Sequence, residues 1–129
     1  MIVQIILTFF LLFRLGFLRI RSLKSGTTKI KDIALGQKNW PEEALKASNS
    51  FQNQFEIPVL FYVACLIAIM TQLNSTAYTI LSWLFVLSRV GHAYIHNSSN
   101  HVIRRFQLYL TSVAAALGLW IILGLNILV

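Results

Sequence analysis

Four long apolar runs, separated by short polar breaks, organise this chain. They cover about residues 2–18, 51–73, 78–96 and 103–128. Each is close to the ~20 residues that a helix needs to cross roughly 30 Å of hydrocarbon. Only a helix or a closed barrel satisfies its backbone polar groups inside a bilayer, and runs this continuously apolar match the helix. The pattern therefore predicts an all-α integral membrane four-helix bundle, with one domain spanning residues 1–129. Leu73-Asn74-Ser75-Thr76 links the second and third runs so tightly that those helices are expected to be antiparallel neighbours. Asn97-Ser98-Ser99-Asn100 separates the third from the fourth. In the last run Ala114, Ala115, Ala116, Gly118 and Gly124 offer small side chains for close helix packing.

The stretch from Arg19 to about Ser50 breaks this pattern and reads as a loop outside the membrane. Gly26-Thr27-Thr28 reads as a turn. Pro41 followed by Glu42 and Glu43 reads as a helix start, because early proline and first-turn acids suit the positive end of the helix dipole. From there helix is expected to continue without interruption into the second run. The first run lacks the basic leader and small-residue cleavage site of a removable signal, so it is expected to be retained. Arg14 interrupts it within snorkelling distance of the interface.

Composition and charge agree with this reading. The chain is 57% hydrophobic and 12% charged, far too apolar for a soluble domain of 129 residues. A net charge of +7 could suggest nucleic acid. However, Arg19, Arg21, Lys24, Lys29, Lys31, Lys38 and Lys46 all lie between the first two runs, without interleaved aromatic platforms. Membrane orientation and anionic headgroups explain them better, and no nucleic-acid partner is expected. The two basic connections should be cytoplasmic, with both termini on the opposite side. Cys65 has no partner in the chain and reads as a small buried hydrophobe. Four helices enclose little volume, so a ligand site larger than an ion is expected to be shared between protomers of a homo-oligomer.

Candidate chemistry lies in the ionisable residues of the apolar runs, since intramembrane charge is costly and marks functional sites. Asn53 and Glu56, three apart, share a face on a continuous helix. Arg89, His92 and His96 fall on one stripe, and Arg105 shares a face with Tyr109. A purely structural reading pairs Glu56 with Arg89 or Arg105. The excess of Arg, His, Asn and Tyr donors over acids instead invites an anionic ligand. His92 and His96 have the i, i+4 spacing of two metal ligands. No glutamate fills the general-base position of a zinc protease motif and His101 lies beyond a loop, so no metal is expected. The sequon Asn97-Ser98-Ser99 should be silent on the cytoplasmic side.

Asn53-Gln54-Phe55-Glu56 with Pro58, then Arg89-Val90-Gly91-His92, then Arg105 with Tyr109, resemble in order and spacing the membrane-associated proteins in eicosanoid and glutathione metabolism. The resemblance covers nearly the whole chain. It implies a homotrimer binding glutathione as co-substrate between protomers near the cytoplasmic side, and a lipophilic electrophile drawn from the bilayer. Arg105 would be the catalytic residue, stabilising the glutathione thiolate. Asn53, Glu56, His92 and Tyr109 would line the site, and Arg19 and Arg21 would meet a glutathione carboxylate. The function implied is a glutathione-dependent membrane transferase or peroxidase.

The chain also departs from these relatives. Asn49 and Gln52 stand where catalytic members often carry arginines, His96 stands where some have a tyrosine, and Pro58 follows Glu56 more closely. The alternative is a non-catalytic lipid- or partner-binding membrane protein on the same scaffold. A small four-helix transporter fits less well, because the first run holds Arg14 and no acid.

Overall fold

A computed structural model describes residues 1–34 and 39–128; Lys38 of the basic connection lies outside the described residues. Its elements are α1 (Ile2–Lys24), the short α2 (Ile30–Ile33), α3 (Glu42–Gln52), α4 (Ile57–Met70), α5 (Thr76–Asn97) and α6 (Val102–Leu128). No strand occurs among the described residues. Three helical stretches are long and apolar enough to cross a membrane: Ile2–Lys24, Glu42–Met70 and Val102–Leu128. At 22 residues α5 is equally long, but Ser88, Arg89, His92 and His96 in its second half lower its hydropathy. Large apolar side chains such as Phe10, Phe13 and Phe17 point outward along α1, as a surface in contact with lipid requires.

Local chemistry sets the helix ends. Gly26, at φ +72°, turns the chain after α1 in a conformation that costs a side-chain-bearing residue far more. The hydroxyls of Ser22 and Thr28 close that turn at 2.5 Å. Pro41 precedes the first turn of α3, which carries Glu42 and Glu43 as its composition predicts. Ser75 caps α5, its Oγ accepting from the Tyr78 amide at 3.3 Å.

One expectation fails at the entrance to α4. Helix does not run unbroken from Glu42 into the membrane: Asn53–Phe55 tightens into a 3₁₀ turn, and Glu56 leaves helical geometry at φ −99°, ψ −110°. Pro58 supplies the physical reason, since it has no N–H to offer the Gln54 carbonyl and its ring would collide with that oxygen. Proline in the first turn of the new helix α4 is tolerated.

The tightest packing joins α5 to α6, and small residues allow it. A Cβ on Gly118 would lie 2.9 Å from Leu81 Cδ1, and one on Gly91 would lie 3.2 Å from Leu108 Cδ1. These two contacts move in opposite directions along the chain, so the helices are antiparallel. Gly124, by contrast, faces open space. The backbone of α4 approaches α6 more closely than α5, but α4 and α5, joined by the short Leu73–Thr76 link, are neighbours that meet through their side chains. Between α4 and α5 the stacked rings of Phe61 and Phe85 fill the gap, with centroids 4.3 Å apart and planes at 11°. Leu119 and Leu123 of α6 complete this core.

α1 lies against α3 and α5 and is pinned by polar contacts. Gln4 Nε2 donates to Gln54 Oε1 at 2.8 Å, both side chains fully buried. Arg14, within snorkelling distance of the interface, pairs α1 with α5 by donating to the Asn97 carbonyl at 3.3 Å. There it neutralises the negative end of α5.

Candidate functional site

The polar site forms where α5 ends, α6 begins and the broken segment between α3 and α4 crosses them. Three helical turns of α5 carry Arg89, His92 and His96 on one buried face, as their spacing predicts. From α6, Arg105 and Tyr109 approach the same region. The elements converge on a cavity of about 220 Å³ lined by Asn53, His92, Val102, Arg105, Phe106 and Tyr109.

Within it, Arg105 is held from two sides. Its Nη1 lies 2.9 Å from Asn100 Oδ1 and 3.0 Å from His96 Nε2. A guanidinium only donates, so His96 Nε2 accepts and this imidazole is neutral with its proton on Nδ1. Asn100 holds a φ of +50°, a conformation in which asparagine is among the better tolerated residues. Its amide bonds to the Ile95 carbonyl at 2.8 Å, so the backbone of the α5–α6 connection aims the side chain at Arg105. The His92 ring sits edge-on to His96, with centroids 5.7 Å apart, and 6.2 Å from the Tyr109 ring. His92 is 3% exposed, and its Nδ1 makes no hydrogen bond among the described residues.

Arg89 is the residue that sequence reading placed on the stripe and offered as a partner for Glu56, without giving it a part in the binding site. It is completely buried, and its Nη2 donates to the Asn53 carbonyl at 2.5 Å. Nε and Nη1 find no partner among the described residues. The arginine thus braces the broken segment and brings a second cation near the cavity. Its place three residues before His92 was the available signal. Asn100 was missed as well; an asparagine in a tight connection just ahead of two arginines was its trace.

Not every expected residue meets this cavity. Glu56 is exposed and lies outside it. Asn53 opens a 3₁₀ turn and Glu56 follows it, rather than the two lying on one continuous α-helix, and only Asn53 lines the cavity. Glu56 makes no ion pair with Arg89 or Arg105, although its charge acts on Arg89 from a distance; the one ion pair among the described residues joins Lys46 to Glu42 at 2.6 Å. Arg19 lies under the Trp40 ring, 5.0 Å from its centroid. Exposed Arg21 borders a separate hollow with Pro41 and Glu43. Among the described residues no three His, Cys, Asp or Glu side chains group as a metal site.

The order of these residues along the chain and their convergence in space now meet an independent finding. The model of the MAPEG family matches residues 1–125. The chain belongs to the MAPEG family. No curated protein and no solved structure matches it. Membership places this MAPEG protein among the membrane proteins of glutathione and eicosanoid metabolism. The MAPEG chain by itself offers a small cavity, below the roughly 300 Å³ at the lower end of small-molecule sites. What it does offer is electrostatically one-sided: Arg105 at the wall, Arg89 behind it, and no acid lining the space.

Proposed function

We propose that this protein is a glutathione-dependent membrane transferase or peroxidase acting on lipophilic electrophiles. In this reading four helices span the membrane, the protein is a homotrimer, and the site faces the cytoplasm with both termini on the other side. The observation that carries the reading is the convergence of Asn53, His92, Arg105 and Tyr109 on one cavity without a lining carboxylate. Such a wall favours an anion, and a positively charged guanidinium beside a thiol favours its thiolate.

Arg105 stabilises the sulfur anion, while His96 and Asn100 fix the guanidinium in place. Asn53 and Tyr109 offer hydrogen bonds to the peptide part of the co-substrate. In conjugation the thiolate sulfur forms a bond to an electrophilic carbon, whose leaving group departs with its electron pair or whose displaced electrons take up a proton. In peroxide reduction the thiolate attacks one peroxide oxygen, the O–O bond breaks, and the alkoxide takes a proton. A second glutathione then reduces the sulfenic product, yielding disulfide and water.

A second reading keeps the scaffold and drops the chemistry: a lipid- or partner-binding protein. It is favoured by Glu56 standing outside the cavity and by Asn49 and Gln52 in place of arginines. Thiolate absorbance of glutathione, recorded near neutral pH with purified wild type and Arg105→Ala, separates the two. A signal present in wild type and lost in the variant supports the enzyme. No signal and no glutathione binding would leave the non-catalytic reading.

A further inference from the structure

At the end of the bundle away from Arg105, a cavity of about 740 Å³ opens between the first turn of α1, the last turns of α4 and the first half of α5. Its volume falls within the roughly 300–1,000 Å³ of small-molecule sites. Cys65, Ala68, Ile69 and Val86 give it an apolar wall, and exposed Trp83 stands at its edge. No Lys, Arg, His, Asp or Glu side chain lines it. The amino group beside it belongs to Met1, an exposed residue rather than a buried cation.

One polar group in this wall is unsatisfied. Tyr78 is 7% exposed, and its hydroxyl has no hydrogen-bond partner among the described residues. The neighbouring hydroxyls are already committed as donors, Ser82 to the Tyr78 carbonyl at 2.9 Å and Thr79 to the Ser75 carbonyl at 3.2 Å. A buried hydroxyl left unpaired is costly, and an acceptor on a bound molecule offsets that cost.

Two physical conditions then select the molecule. A carboxylate or phosphate would enter without a buried cation to compensate its lost hydration. A plain hydrocarbon would leave the Tyr78 hydroxyl unpaired. We propose that this cavity binds a neutral single-chain lipid, its chain along Cys65, Ala68 and Val86 and an ester or alcohol oxygen accepting from Tyr78. The site is separate from the one around Arg105, and the inference does not rest on the function proposed for that site.

The test uses the full chain in detergent and a monoacylglycerol carrying a photoreactive diazirine in mid-chain. Irradiation should label the segments around Ala68 and Val86. Unlabelled monoacylglycerol should compete several-fold better than the fatty acid of the same length, and Tyr78→Phe, which changes no shape, should abolish that preference. On the wild-type chain, monoacylglycerol should also slow alkylation of Cys65 by a membrane-permeant maleimide several-fold. Labels scattered over lipid-facing residues such as Phe10 and Phe17, equal competition by the fatty acid, or unchanged Cys65 reactivity would each overturn the proposal.

Discussion

Arg89 Nη2 donates to the main-chain oxygen of Asn53 across 2.5 Å, tying the middle of α5 to the turn that interrupts α3 and α4. The rest of this guanidinium is buried and has no hydrogen-bond partner among the described residues, which is costly, since desolvating a cation takes several kcal/mol that one hydrogen bond does not return. Such a residue is poorly explained by stability and well explained by a ligand or a geometry it maintains. Arg89→Met keeps much of the volume and removes the charge. It should leave the unfolding temperature in detergent unchanged or raised, while weakening glutathione binding about tenfold or more, equivalent to ~1.4 kcal/mol. Tryptophan fluorescence melts and titration calorimetry measure the two effects. Lost stability with unchanged affinity would show that Arg89 only braces the fold.

Asn100 joins a strained backbone to the proposed catalytic group, so two substitutions separate its roles. Asn100→Ala removes the acceptor for Arg105 and places a Cβ-bearing residue without a local hydrogen bond at φ +50°. A destabilisation of about 1–2 kcal/mol should follow. Asn100→Gly relieves the strain while still removing the acceptor, so it should melt near wild type. Turnover should fall alike in both variants, with glutathione affinity nearly kept, because Asn100 acts through the guanidinium that stabilises the thiolate. Wild-type turnover in Asn100→Gly would show that its hydrogen bond to Arg105 is dispensable.

Local patterns made most of the helices legible, and contacts between distant segments made the site only partly so. Apolar runs and the Pro41-Glu42-Glu43 start mark elements that the backbone and the neighbouring residues decide. The break at Asn53–Glu56 depends on Pro58, whose effect reaches back four residues to the Gln54 carbonyl. Reading one helix straight from Glu42 into the second run assumed an unbroken 3.6-residue repeat, and that repeat ends there. The stripe of Arg89, His92 and His96 was legible because α5 is unbroken. The choice of Arg89 for a carbonyl rather than a carboxylate was not, since nothing in the spacing brings residue 53 to residue 89. Similarly, a short link makes α4 and α5 neighbours but does not dictate close backbone approach along their length, where Phe61 and Phe85 hold the backbones apart.

Close approach of α5 and α6 makes a packing prediction with its own rescue. At Gly118 an added methyl would meet Leu81 Cδ1 at 2.9 Å and push that side chain aside, so Gly118→Ala should lose most of the ~1 kcal/mol that alanine otherwise gains over glycine in a helix. Shortening the partner in Gly118→Ala/Leu81→Ala should recover part of that loss, a non-additivity typical of residues in contact. Gly124→Ala should instead stabilise by about 0.5–1 kcal/mol, because its added Cβ meets nothing within 4 Å and alanine suits a helix interior better than glycine. Detergent melting of these variants and of Leu81→Ala decides the matter, and strict additivity at positions 81 and 118 would refute the contact.

Arg19 and Arg21 lie apart from the cavity that holds Arg105, and a volume of about 220 Å³ is small for a tripeptide thiol. If glutathione is bound between protomers, the basic residues at the end of α1 act on a neighbour's site rather than their own. Arg19→Ala/Arg21→Ala protomers and Arg105→Ala protomers should then each be weakly active alone and complement when co-expressed. With random assortment in a closed ring, about one interface in four joins an intact Arg105 to an intact pair of arginines, so activity should return to roughly a quarter of wild type. Affinity tags on the two variants would isolate the mixed assemblies for assay. Mixed assemblies no more active than their parents would place all three arginines in the site of a single protomer, and the subunit boundary would then play no part in binding.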